Sequence, residues 1–181
     1  ITNAGKNKPS GIICKCNSLV DKQIIDEFYK ASQKNVKIEL LIRGICSLIP
    51  GKENLSENIV VKSIIGRFLE HTRIYCFYNG YKFPHRKNIL FISSADLMQR
   101  NLDRRVETFI PIENETVHEQ ILNQILIASM TDNTNSWQML SNGNYQRKEI
   151  SSKEKKFSSH NFFIKNPSLS GRGSAKLKSR A

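Results

Sequence analysis

No hydrophobic run in the sequence approaches the roughly 20 residues that span a bilayer; the richest stretch, Ile38 to Ile49, is broken by Arg43. The opening residues Ile1-Thr2-Asn3-Ala4-Gly5-Lys6 carry no apolar core, so no secretory signal is visible. Membrane-spanning and secreted readings are therefore set aside. Cysteine is sparse. Cys14, Cys16, Cys46 and Cys76 lack the paired C-x-x-C spacing of a zinc site, and reduced, buried thiols are the expectation. Cys14 and Cys16 would share one face of a strand. Acidic side chains are the other shortage, with 16 Asp+Glu against 28 Lys+Arg and a formal charge of +12. A surplus of that size attracts polyanions.

What is present suits one domain and an appendage. The chain has 181 residues, 39% of them hydrophobic, enough for a core of moderate size and against wholesale disorder. A first residue of Ile rather than Met suggests the downstream piece of something longer. The charge is uneven: Arg147–Ala181 hold ten Lys/Arg against two Asp/Glu. We divide the chain into a domain over residues 1–146 and a basic tail over 147–181 that lacks sustained periodicity. Phe157, Phe162 and Phe163 argue that part of the tail docks on the domain. No internal repeat is visible.

The first 146 residues alternate between strand and helix patterns. Strands are expected over Gly11–Cys16, Lys37–Ile42, Asn58–Ile65, Arg73–Tyr78, Asn88–Ser93 and Val106–Ile112. Ile24, Ile25, Phe28 and Ala31 define the buried face of a helix over Asp21–Lys34, with Asp21 as N-cap and Asn35 as stop. Val117, Ile121, Leu122, Ile125 and Ala128 define a second over Glu115–Met130, and Gly66–His71 could form one helical turn. Asn79-Gly80 is a turn signal. The pattern predicts an α/β sandwich with a mixed sheet covered on both faces.

In such folds ligands bind at strand ends. Polar residues collect there: Asn17-Ser18, Arg43-Gly44, Glu70-His71-Thr72-Arg73, and Ser93-Ser94-Ala95-Asp96 running on to Arg100, Arg104 and Arg105. Arginine offers a rigid fork of donors matched to phosphate oxygens. Some of these arginines should pair with Glu57, Glu70, Asp96, Asp103 or Glu107, Arg104 and Arg105 foremost. His71 is the most pointed residue, because an imidazole can move a proton, attack phosphorus or stabilise developing charge. His85, His118 and His160 read as surface residues. The His71-x-Arg73 spacing, with Ser-Ser-Ala-Asp some twenty residues on, resembles the H-x-K and G-S-x-N arrangement of phospholipase-D-like phosphoryl-transfer domains. Arginine stands here at the lysine position, and the usual following aspartate is missing.

Three long runs carry a more specific resemblance. NSLVDKQIIDEFYKASQKNVKIELLIRGICSLIPG, LSENIVVKSIIGRFLEHTRIYCF and SSADLMQRNLDRRVETFIPI are similar to the final catalytic domain of the bacterial, histidine-phosphorylating polyphosphate kinases. The similarity spans Ile12 to Ile150 and extends weakly through NPSLSGRG. It implies a phospholipase-D-like α/β domain that occurs twice in tandem behind two upstream domains. It also implies ATP-dependent, reversible extension of inorganic polyphosphate through a phosphohistidine, with magnesium. By the resemblance, Arg43 binds nucleotide phosphate, His71 assists transfer beside ATP and polyphosphate without being the nucleophile, and Arg100 contacts phosphate. Asn17, Arg73 and Ser94 are candidates for further phosphate contacts, and no metal ligand is assigned to this chain.

The nucleophilic histidine, the magnesium-associated arginines and an adenine-contacting tyrosine belong to the preceding domain and have no counterpart here. The chain alone is therefore expected to be inactive and to need upstream polyphosphate kinase domains in cis or in trans. Its partners would be ATP or ADP and polyphosphate, its place the cytoplasm, at the membrane through the full complex. Self-association through the uncovered face is expected. Two other readings stand beside this one: a basic module that holds polyphosphate or nucleic acid without turnover, and a phosphodiesterase built from two copies.

Overall fold

The computed structural model describes residues 1–147 and 149–166. Eight strands form one mixed sheet: β1 (Gly11–Cys16), β2 (Lys37–Ile42), β3 (Ile59–Ile64), β4 (Ile74–Phe77), β5 (Ile89–Ser93), β6 (Phe109–Pro111), β7 (Ser136–Met139) and β8 (Tyr145–Arg147). Their order is β6-β5-β4-β1-β2-β3-β7-β8. The three central strands β1, β2 and β3 run parallel, and every flanking pairing is antiparallel.

The parallel centre demands cover on both faces, and two separate apolar clusters provide it. Along β1, Cys14 and Cys16 point to one face and Ile13 and Lys15 to the other, as strand alternation requires. On the first face Cys14, Cys16, Ile38, Leu40, Ile42 and Val61 pack with Ile25, Phe28 and Ala31 of α2 (Lys22–Gln33). On the second, Ile13, Ile74, Cys76 and Leu90 pack with Ile121, Leu122 and Leu126. Burying side chains of this size contributes roughly 1.5–3 kcal/mol each.

Helix α2 starts where Asp21 accepts the Ile24 N–H at 3.0 Å and stops before Asn35, whose φ of +60° turns the chain toward β2. A short α1 (Thr2–Gly5) precedes β1, and α3 (Gln99–Arg104) follows β5. The second long helical pattern is realised as α4 (Glu115–Gln120), a π-helical segment (Ile121–Leu126) and α5 (Ile127–Thr131) in succession. The i, i+3, i+4 reading could not anticipate the wider π turn.

Several sequence expectations are corrected. Residues 66–71 form no helical turn; the whole connection from Ile65 to Arg73 is irregular. Strands β7 and β8 and helix α6 (Ser159–Lys165) lie where the polar, Ser- and Asn-rich sequence shows no period. They form because tertiary partners supply what local pattern lacks: Lys62 Nζ donates to the carbonyls of Met130 and Asp132 at the end of α5, and Asp132 Oδ2 accepts from the Ser159 N–H and hydroxyl, both at 2.7 Å. His118 and His160 are buried rather than superficial. Nearly all of NPSLSGRG and the rest of the tail beyond residue 166 lie outside the described residues. Among the described residues no helix is long and apolar enough to cross a membrane.

Candidate functional site

Strand direction brings the polar segments together. Because β1 and β2 are parallel, Asn17 and Arg43 leave the sheet at the same edge. Because β4 is antiparallel to β1, its entry residue Arg73 stands at that edge as well, and β5, antiparallel to β4, delivers Ser93 to Asp96 there. Backbone hydrogen bonds stitch the loops side by side: Gly44 N–H to Asn17 O at 2.7 Å, Leu19 N–H to Ile45 O at 2.9 Å, and Leu97 N–H to Ser18 O at 3.1 Å. Gly44 is required by this approach, since a Cβ there would lie 2.8 Å from the Asn17 carbonyl oxygen.

Asp96 is the hub. Arg73 grips it bidentately, Nε to Oδ1 and Nη2 to Oδ2, each at 2.9 Å. Asn17 donates to Oδ1 through its backbone N–H at 2.8 Å and its side-chain Nδ2 at 3.0 Å. The Asn17 Oδ1, so oriented, accepts from Arg43 Nε at 3.2 Å and Nη2 at 2.9 Å. Arg73 Nη2 also lies 3.1 Å from His71 Nε2. Guanidinium nitrogens only donate, so Nε2 accepts and the imidazole proton sits on Nδ1. A relay Arg43–Asn17–Asp96–Arg73–His71 results. Burial pushes the Asp96 carboxyl up, but the Arg73 fork and the Asn17 donors outweigh it and hold it below the ordinary carboxylate range. The same fork raises Arg73.

Below the relay, on the α5–α6 side of the sheet, Lys15 and Glu70 form a buried ion pair. Burial pushes the Lys15 ammonium down to about 8; the neighbouring Cys16 opposes the shift and Arg43 adds to it. Lys15, Arg43, Glu70, Ser129 and His160 help line a cavity of about 20 Å³, room for about one water molecule. The buried Ser129 hydroxyl has no hydrogen-bond partner among the described residues.

Of the residues singled out in the sequence, Asn17, Arg43, His71 and Arg73 join this network. Arg100 stands exposed in the first turn of α3, outside the hydrogen-bonded set. Ser94 is tied down instead: its hydroxyl donates to Glu107 and accepts from the Thr108 N–H at 2.9 Å. Among the described residues the arginine that forms an ion pair is Arg73, with Asp96; Arg104 and Arg105 form none. Glu70 pairs with a lysine. Sequence reasoning overlooked Lys15, because a lysine inside an apolar strand gives no sign of its partner, and it placed Asp96 only as an arginine partner. Among the described residues no cluster of three His, Cys, Asp or Glu could hold a metal ion.

The fold is an α/β sheet that gathers two arginines, an asparagine and an imidazole at one edge. The chain belongs to the polyphosphate kinase C-terminal domain 2 family, whose model matches residues 1–160. It is 53% identical over 175 residues to a polyphosphate kinase of Erythrobacter litoralis, covering 97% of this chain and 24% of that one. To a polyphosphate kinase of Pseudomonas syringae pv. tomato it is 50% identical over 140 residues, 77% of this chain and 18% of the relative. The crystal structure of polyphosphate kinase from Porphyromonas gingivalis superposes with a TM-score of 0.83 at 36% identity, over 92% of this chain and 25% of that one. The chain thus spans a quarter or less of the length of these proteins.

Proposed function

We propose that this chain is the C-terminal portion of a polyphosphate kinase, holding the phosphates of ATP and inorganic polyphosphate for reversible transfer of the ATP γ-phosphate. The observation that carries the reading is the Asp96-centred relay. It fixes Arg43, Arg73 and His71 at one edge before any substrate arrives, and phosphoryl transfer is served chiefly by such preorganised positioning and charge neutralisation. Arg43, half-buried and oriented by Asn17, presents its remaining N–H groups to phosphate oxygens. Arg100, exposed in the first turn of α3, contacts the chain of phosphates from that side. His71 Nε2 lies 3.1 Å from Arg73 Nη2, so the imidazole and the guanidinium face the arriving phosphates together. The cavity inside the edge is too small for a phosphoryl group, and the phosphates therefore lie along the open edge.

We assign no magnesium ligand to this chain, since the Asp96 oxygens already accept from Arg73 and Asn17. Any magnesium belongs with the nucleotide and the upstream domains, and no step here depends on it. Because the nucleophilic histidine lies upstream, the purified chain incubated with γ-labelled ATP acquires no acid-labile phosphate. Mixed with the upstream portion, it restores ATP-to-polyphosphate conversion, and Arg43→Ala or His71→Ala reduces that conversion at least about a hundredfold. Acid-labile phosphate on the chain alone, or full turnover in both variants, overturns the proposal. The high positive charge favours one second reading, a polyanion-holding module without turnover; salt-sensitive polyphosphate binding with no conversion in the mixture would establish it.

A further inference from the structure

The connection between β3 and β4 carries His71, yet it has no sheet or helix ladder of its own. It is held by pins. Its start, Ile65, donates to Asn135 O at 3.0 Å, and its end, Arg73, is fixed by Asp96. Between them Glu70 pairs with Lys15. The remaining pin comes from 92 residues away. His160 of α6, only 3% exposed, stacks on Phe68 with ring centroids 4.1 Å apart and planes at 20°. Its Nδ1 accepts the Phe68 N–H at 3.4 Å. The ring also presses on Gly66 so closely that a Cβ there would fall 2.2 Å from Nδ1. Burial holds His160 below its ordinary titration range, which keeps Nδ1 free to accept.

Helix α6 is itself anchored, since Asp132 grips the Ser159 N–H and hydroxyl at its first turn. His71, by contrast, is exposed, and its contact is the side chain of Arg73. Its imidazole is therefore held on one side by Arg73 and on the other by the backbone of residues 66–70 alone.

We propose that α6 is a positioning strap for His71, with His160 as the residue that clamps the connecting loop through Gly66 and Phe68. The inference rests on the reading of His71 as the assisting group in phosphoryl transfer, and it assigns a part in that site to the segment that follows the sheet. His160 touches no substrate; it acts through the loop.

The test uses the full chain with His160→Ala, His160→Phe and Phe68→Ala. Phe68 is 39% exposed, so its truncation leaves the core intact. Amide hydrogen exchange of residues 66–72 and the ¹⁵N imidazole resonances of His71 are recorded, then turnover after mixing with the upstream portion. The proposal expects exchange in 66–72 to rise about tenfold or more in His160→Ala and Phe68→Ala while β1 and β2 stay protected. The His71 resonances should move toward those of a free imidazole, and His160→Phe, which keeps the stacked ring, should recover most of the wild-type signals. In the mixed system kcat should fall about ten- to a hundredfold with KM little changed.

Wild-type exchange and His71 resonances in folded Phe68→Ala would overturn the proposal, even if His160→Ala fails to fold. A loss of turnover without a change at His71 would overturn it equally. A loop that loosens as expected in a mixture that never turns over supports the strap and sinks the kinase reading instead.

Discussion

Replacing Asp96 by Asn is the sharpest probe of the site. The carboxylate is buried and receives the Arg73 fork, with side-chain exposures of 7% and 14% for the two partners. It also accepts two donors from Asn17. The amide keeps the shape but removes the charge and turns one acceptor into a donor aimed at donors. Removing one member of a buried pair costs about 3–5 kcal/mol, because the other charge stays buried without compensation. Taking the lower figure, at about 2–4 °C per kcal/mol for a chain of this size the melting temperature should drop about 6–12 °C. Asp96→Asn combined with Arg73→Gln should recover part of the loss, since the stranded guanidinium is gone.

The pH dependence follows from the lowered Asp96 carboxyl. Its folded value lies below the unfolded one, near 3.9, so the unfolded chain binds the proton more readily. The stabilisation is complete above about pH 4 and is lost as pH falls through the folded value. The gap between wild type and Asp96→Asn should therefore stay constant from about pH 5 to 7 and close in stronger acid. Thermal melts across that range decide it. A drop under about 2 °C at pH 7, or a double variant worse than either single one by the full sum, would refute the hub.

His160 carries the opposite group through the same sign argument. Its imidazole is held below the ordinary value by burial, so the stability tied to its neutral form is present above about pH 6.5 and falls as pH drops toward the folded value; denaturant titrations from pH 7.5 to 5 should show that slope in wild type and not in His160→Phe. Gly44→Ala should destabilise by about 1–3 kcal/mol, measured by urea unfolding, because the added methyl meets the Asn17 carbonyl at 2.8 Å; a neutral result would mean that the loops are not in close contact. The edge strand β6 exposes Phe109 and Ile110, at 53% and 45%, and an uncovered apolar edge favours association; sedimentation should show concentration-dependent self-association that Ile110→Lys weakens, and a monomer at every concentration would count against it.

Much of the architecture was legible because it is local. Ile24, Ile25, Phe28 and Ala31 announce α2 by their spacing, and the apolar runs at Gly11–Cys16 and Lys37–Ile42 match β1 and β2 to the residue. The later strands come out shorter than the runs that suggest them, since Arg73, Tyr78 and Asn88 belong to turns and side-chain hydrogen bonds beyond the ladder. The π-helical turns were hidden because the apolar spacing of Ile121, Leu122 and Ile125 reads as an ordinary α-helix, and β8 because a polar, irregular stretch becomes a strand only against a surface already formed. His118 shows the same limit. Nothing around it in sequence marks it as buried, yet its Nε2 lies 2.7 Å from the Asn88 carbonyl.

By itself, then, the sequence determined the α/β class, the order of the central elements, the family, and the residue types suited to phosphate. What it left to the tertiary structure was the company each of those residues keeps. Asn17, Arg43, Arg73 and Asp96 meet because β4 runs against β1 and β2 while β5 runs with them, a choice of direction that no local pattern records. Lys15 finds Glu70, and His160 finds Phe68, across separations that only the closed sheet and its covering helices remove. Periodicity is a property of neighbours along the chain; a charge relay is a property of neighbours in space, and burial, which sharpens every charge in it, exists only after folding.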